Sequence, residues 1–240
     1  MNIDVLEKFR IGNGGIGDAL IFLSTFYDEI EEANIIFLAN DPVLMEELFS
    51  LFPKIKKKLI LQNNWDYLRE FYNHPNCIGT GILPKNLDYS KWKDVDIFKE
   101  YGVKEFPEFI KMFTPRKVVL SQKQLFVQSQ GSAVEGEGKK RQLQEKALKQ
   151  VALYQDAIEW WVCVSPEKFK PLSETFSLIR GSDLVISVDS FAKTVSAMSR
   201  IRTIVYDSVY RPEYLAGMSG EDWGHYVFLY PWSFIELRKQ

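Results

Sequence analysis

Gly12-Asn13-Gly14-Gly15-Ile16-Gly17-Asp18 sets four glycines and a carboxylate in seven residues, between a strand-like run and an apolar helical run. Glycines in such a bend let the main chain turn tightly and bring N–H groups at a helix start against a ligand. Two chemistries fit. Gly12, Gly14 and Gly17 satisfy GxGxxG, and Asp41 closes the next strand-like run, where a dinucleotide fold places its ribose-binding acid. That is the pattern of an NAD-binding oxidoreductase. Asp18 points elsewhere, because a carboxylate directly after the last glycine competes with a pyrophosphate for one positive helix end. Held there it is placed to act as a general base toward a hydroxyl, since ligands of open α/β sheets bind beyond the carboxyl ends of the strands. Its plainer role is a helix-start residue stabilised by the macrodipole.

A second group, Gln128-Ser129-Gln130-Gly131-Ser132, precedes Lys139-Lys140-Arg141 at an expected helix start. Small hydroxyls after a strand and a nearby cation are the parts needed to neutralise a diphosphate leaving group. Lys140 is the first choice among the three cations, with Lys139 and Arg141 as alternatives, and a solvated charged loop is the plainer reading. The third group, Val188-Asp189-Ser190-Phe191, turns from a strand into a helix, where main-chain N–H groups suit a phosphate or ribose. Asp189 and Ser190 equally suit an N-cap pair.

The elements that position these groups alternate. Strands are expected at 3–11, 35–40 and 58–62, with helices at 19–32, from Asp41-Pro42 onward and around 65–72. The pattern weakens from Pro75 to Pro115, apart from a helical segment near 96–102, and a domain boundary is placed near 114–118. Strands then follow at 124–128, 158–164, 183–188, 203–207 and 226–230. Helices are expected at 141–154, 170–180, from Ser190 to Ser199, and from near Trp232 to the end. Such alternation favours parallel sheets covered by helices on both faces.

Bulk composition narrows the function. With 30 Lys+Arg against 32 Asp+Glu in 240 residues, no general attraction to nucleic acid is indicated, and no stable nucleic-acid partner is expected. The two cysteines, Cys77 and Cys163, lack ligand or disulfide spacing and read as reduced core thiols, and no metal site is expected. The histidines, His74 and His225, have no matching nucleophile motif. Lys54, Lys56, Lys57 and Lys58 read as a solvated strand start, and Trp160-Trp161 as core. No run of about 18 apolar residues and no leader pattern occurs, so a cytoplasmic protein is expected. The sequence carries no signal for oligomeric state.

Taken in order, the three groups resemble glycosyltransferase family 9, the ADP-heptose:lipopolysaccharide heptosyltransferases. GGIGDALIFLS resembles the family's N-terminal G-x-G-D segment, and LIRGSDLVISVDSFAKTVSAMSRIRTIVYDS its later strand, Asp-Ser/Thr-Gly turn and helix. Phe191 stands where the family has glycine, and Thr194 near a frequent histidine. The resemblance implies an α/β, GT-B-like fold: two Rossmann-like domains with parallel sheets facing across a cleft. It implies an acceptor domain at 1–115 and a nucleotide-sugar domain at 116–240. Asp18, behind Gly14, Gly15 and Gly17, then stands at the catalytic-base position. Asp189, Ser190 and Phe191 line the donor site, and Ser129, Ser132 and Lys140 fall where the diphosphate is held. The implied activity is inverting, metal-independent sugar transfer from a nucleoside-diphosphate sugar to a hydroxyl acceptor, with no cofactor. A glycan, lipid-linked glycan, protein or modified nucleobase fits as acceptor, including one at a membrane surface. A catalytically silent nucleotide-sugar-binding protein is the remaining alternative.

Overall fold

The computed structural model describes residues 7–24, 34–55, 57–80, 83–84, 123–134, 140–157, 161–164, 171–188, 190–207 and 235–239. The chain divides into two compact units, Met1–Tyr101 and Gly102–Gln240. The boundary expected at 115/116, the helix near 96–102, the strand at 226–230 and the side chains of Trp160, Trp161 and Cys163 lie outside the described residues.

In the first unit, β1 (Phe9–Gly14), β2 (Asn34–Ala39), β3 (Lys57–Gln62), β4 (Cys77–Thr80) and β5 (Leu83–Pro84) form one sheet in the order β3-β2-β1-β4-β5. Its pairs are parallel except the short β4–β5 edge. Helices α1 (Ile16–Ser24), α2 (Pro42–Ser50) and α3 (Trp65–Asn73) fill the crossovers. β2 is buried from Ile35 to Ala39, as a parallel strand covered on both faces must be. Phe9, Ile11, Ile36 and Leu38 pack with Phe71 of α3 and with Cys77. On the opposite face, Phe37 meets Phe22 of α1 at 5.6 Å between ring centroids and Phe49 of α2 at 5.7 Å. Each fully buried side chain of this kind contributes roughly 1.5–3 kcal/mol. Gly12 lies within β1 and is a packing residue, because a Cβ there would come within 2.7 Å of the Phe37 ring and 2.9 Å of Phe22.

The start of α2 is as the sequence dictates: Asp41 caps it by accepting from the Leu44 N–H at 3.0 Å, with Pro42 at the first helical position. Replacing Asp41 with Ala is expected to cost about 1 kcal/mol. A shift of the urea midpoint at constant slope is the readout, and an unmoved midpoint would contradict the cap. Lys58, from the expected lysine run, is paired with Glu46 at 3.0 Å.

In the second unit, β6 (Lys123–Gln128), β9 (Trp161–Val164), β10 (Leu184–Val188), β11 (Thr203–Asp207) and β12 (Ile235–Lys239) form an all-parallel sheet in the order β12-β11-β10-β6-β9. Counted along the chain within this sheet, that is the 2-1-3-4-5 order of a flavodoxin-like doubly wound fold. The β3-β2-β1-β4 run of the first unit matches the opening of the 3-2-1-4-5-6 order. Helix α4 (Glu145–Ala157) covers one face, where Ala147 and Val151 pack with Leu125, Val127, Leu184, Ile186, Val188, Ile204 and Tyr206. The other face carries α5 (Leu172–Arg180) and α6 (Phe191–Met198). Gln124 Nε2 donates to the Leu178 carbonyl at 2.9 Å, and Thr203 Oγ1 donates to Ser196 Oγ at 2.7 Å. Among the described residues, no helix is long and apolar enough to cross a membrane.

Two expectations are corrected. The stretch expected as a polar loop after β6 contains an antiparallel pair, β7 (Gln130–Val134) and β8 (Lys140–Gln142), so Lys140 and Arg141 stand on a strand and α4 starts at Glu145. A ribbon held by main-chain pairing needs no apolar alternation, and none marks it. The closing helix is replaced by β12, whose Ile235 aligns with Thr203 on the otherwise open edge of β11. Glu, Leu and Lys are good helix formers, but edge pairing overrides propensity in so short a segment.

Candidate functional sites at the strand ends

Open α/β sheets bind ligands beyond the strand ends where chain order reverses. In the first unit that point lies beyond β1 and β4, since β1 connects onward through α1 on one face and β4 is reached through α3 on the other. The bend after β1 is therefore the candidate site. Gly14 adopts φ +120°, a conformation open to glycine, and a Cβ there would overlap the Asp18 carboxylate, lying 2.7 Å from its Cγ. Asp18 occupies the first turn of α1, is exposed, and its Oδ2 accepts from the Gly15 N–H at 2.8 Å. This is the reach-back half of a capping box, so the plainer role of Asp18 is realised. The contact also fixes an exposed carboxylate at the strand end, with Oδ1 as a second acceptor atom.

The neighbouring strand ends are knitted to this bend. Asn40 N–H donates to the Gly14 carbonyl at 3.0 Å, Asn63 N–H to the Ala39 carbonyl at 2.8 Å, and Asn63 Nδ2 to Asn40 Oδ1 at 2.9 Å. Neither asparagine was singled out from the sequence, although both follow a strand directly. Gly15 and Gly17 are half-buried in the bend and the first turn of α1. Of the dinucleotide set, Gly12 serves packing and Asp41 caps its own helix.

In the second unit the reversal lies between β6 and β10, which are neighbours with Gln128 aligned to Ser187. Ser129 follows β6, is half-buried, and its carbonyl accepts from Leu143 N–H at 2.8 Å. Ser190 is the N-cap residue of α6 with extended backbone, φ −150° and ψ 178°. Its Oγ makes no cap bond and is shielded without a hydrogen-bond partner among the described residues. Ser129 and Ser190 thus lie at adjacent strand ends. Phe191, half-buried, packs its ring 6.1 Å from Phe176 of α5. Asp189 and Lys139 lie outside the described residues; Ser132 lies on β7 and Lys140 on β8, with their side chains outside the description.

Lys193 is the third residue of α6, 9% exposed, within a helix buried from Ala192 to Met198. Away from both sites, burial holds the Arg180 guanidinium below its ordinary value.

No family model matches the chain, and no curated protein matches it. Among solved structures it is similar to the bacterial iron-containing dodecameric glycosyltransferase TibC from enterotoxigenic E. coli H10407. Identity is 12%, the TM-score is 0.42, and the match covers 86% of this chain and 63% of that one. A second similar structure is dodecameric iron-containing heptosyltransferase TibC in complex with ADP-D-beta-D-heptose, at 12% identity and TM-score 0.43, covering 87% of this chain and 61% of that one. The chain therefore spans less than two thirds of the length of these structures.

Proposed function

We propose that the chain is an inverting, metal-independent glycosyltransferase with a GT-B arrangement, moving a sugar from a nucleoside-diphosphate sugar to an acceptor hydroxyl. One observation carries the reading. The exposed Asp18 carboxylate and the hydroxyl-bearing helix start at Ser190 each stand beyond strand ends where the order of a doubly wound sheet reverses. In this scheme Asp18 takes the proton of the acceptor hydroxyl as its oxygen bonds to the anomeric carbon. The bond from that carbon to the diphosphate breaks, and the electron pair leaves with the diphosphate. Lys140, Ser129, Ser132 and main-chain donors at Ser190 neutralise the departing charge, and Asp189 and Phe191 border the nucleotide. A single displacement inverts the anomeric centre.

A thermal-shift panel of nucleotide sugars, ADP-heptose included, set against NAD(H) tests the class. At about a hundred times Kd, a bound donor adds about 2.7 kcal/mol of stability, so a clear rise in melting temperature is expected for one nucleotide-sugar group. A rise with NAD(H) and none with any nucleotide sugar would overturn the reading in favour of the dinucleotide alternative. Donor stabilisation with no sugar released to any hydroxyl or to water would leave the catalytically silent alternative.

A further inference from the structure

A row of amides crosses the strand ends of the first unit. Phe9 and Ile11 of β1, Ile36 and Leu38 of β2, and Leu59 and Leu61 of β3 all pack in or against the cluster that α3 covers. Side chains alternate along a strand, so the next residues on that face are Asn13, Asn40 and Asn63. Bonds from Asn40 N–H to the Gly14 carbonyl and from Asn63 N–H to the Ala39 carbonyl carry the pairing one residue past β2 and β3. Asn63 Nδ2 reaches Asn40 Oδ1 at 2.9 Å, so these two side chains share the face. Asn40 is exposed, Asn13 and Asn63 are half-buried, and Asn63 Oδ1 is shielded with no hydrogen-bond partner among the described residues.

Trp65 stands beside this row. It opens α3 directly after the Asn64 cap, three residues before Leu68 and seven before Tyr72, both packed against the same cluster. That spacing puts the indole on the sheet-facing stripe of the helix. Three residues of helix rise about 4.5 Å, so the stripe runs past the last apolar level of the sheet. Leu68 has the sheet beneath it, whereas Trp65 is 73% exposed. Charge at these strand ends is one-sided: residues 13–18, 40–44 and 62–68 include Asp18, Asp41 and Asp66 and no lysine or arginine, and Arg69 follows a turn farther down α3. An indole face with neutral amides beside it suits a sugar ring. The C–H groups of a pyranose face meet the negative face of the aromatic, and each amide both gives and takes a hydrogen bond with neighbouring hydroxyls. A nucleobase stacks equally well, but the phosphates of a nucleotide or nucleic acid would meet carboxylates here with no cation to neutralise them.

We infer that this row recognises the acceptor and that the acceptor is a neutral saccharide, with Trp65 stacked on one ring and Asn13, Asn40 and Asn63 bonded to its hydroxyls. Asn40 N–H holds the Gly14 carbonyl, and the next residue, Gly15, holds Asp18, so the row and the carboxylate adjoin across the strand ends. A saccharide on the row brings a hydroxyl to the bend. The inference rests on the reading of Asp18 as the acceptor-side base and names the acceptor class for it.

Neutral trisaccharides of glucose, galactose, mannose and N-acetylglucosamine, with a phosphorylated glucose and adenosine beside them, are titrated into the full chain and followed by saturation-transfer NMR and calorimetry. Saturable binding of at least one neutral trisaccharide is expected. Trp65→Ala, at an exposed position that spares the core, should bind it at least about tenfold more weakly, and Trp65→Phe should recover part of the loss. Asn40→Ala should weaken binding several-fold. In transfer to that saccharide, Trp65→Ala should raise KM and leave kcat and donor affinity near wild type. Asp18→Asn should bind the saccharide like the wild type. No saturable binding of any neutral trisaccharide, binding of the phosphorylated glucose or adenosine alone, or wild-type affinity in Trp65→Ala would overturn the inference. Trp65-dependent saccharide binding with no sugar transferred to the saccharide would sink the transferase reading and leave the saccharide site standing. Sugar transfer to an acceptor whose KM is unmoved in Trp65→Ala would do the reverse.

Discussion

Asp18→Asn is expected to lower the turnover of sugar transfer by about two to four orders of magnitude, the usual worth of a general base. Donor affinity and melting temperature should stay near wild type. The reason lies in the two tasks of the carboxylate, the observed cap and the proposed base. Its Oδ2 accepts from the Gly15 N–H at 2.8 Å, and an asparagine oxygen can accept the same bond. The cap survives the substitution while the base is lost. Asp18→Ala removes both, so it should match Asn in lost turnover and additionally cost about 1 kcal/mol of stability. Were Asp18 a helix-start residue alone, Asn would be close to silent and Ala would act through stability. Comparing the two variants in turnover and in melting temperature separates these cases.

Gly14→Ala is expected to be the most damaging single-methyl change in the first unit. Its φ of +120° is strained for any side chain, and the new Cβ would run into the Asp18 carboxylate. Strain of this kind costs about 1–3 kcal/mol. Each kcal/mol lowers the melting temperature by about 4–8 °C in a unit of 60–100 residues. Swinging Asp18 aside relieves the overlap but breaks its bond to Gly15, so sugar transfer should fall together with stability. Gly15→Ala is the control, since a Cβ there stays 3.8 Å from Asp18 Oδ2. It should keep both properties far better. Wild-type melting and turnover in Gly14→Ala would contradict the geometry assigned to the bend.

What the sequence revealed depended on how each element is stabilised. β2 and β10 are apolar runs buried on both faces, and the Asp41-Pro42 start of α2 is written in local chemistry, so all three were legible. β12 holds by pairing with β11, distant in sequence, and the β7–β8 and β4–β5 pairs are local but too short for an apolar alternation to mark them. The glycine bend was legible as a tight turn from strand to helix, yet Gly12 proved to be a packing residue, because its neighbours Phe22 and Phe37 are set by tertiary contact. Asp18 was legible as a choice between base and cap. Its bond to Gly15 is set by the fold of the bend. The burial of Lys193 was hidden for a similar reason: charge is read from sequence, but burial comes from the packing of α6 on the sheet.

The most direct measurement follows release of nucleoside diphosphate from the stabilising donor in the presence of acceptor, for wild type and Asp18→Asn under matched donor saturation. Acceptor-dependent release by the wild type, lost in the variant while donor binding is equal in both, is the predicted result. Equal release by the two proteins would contradict the account.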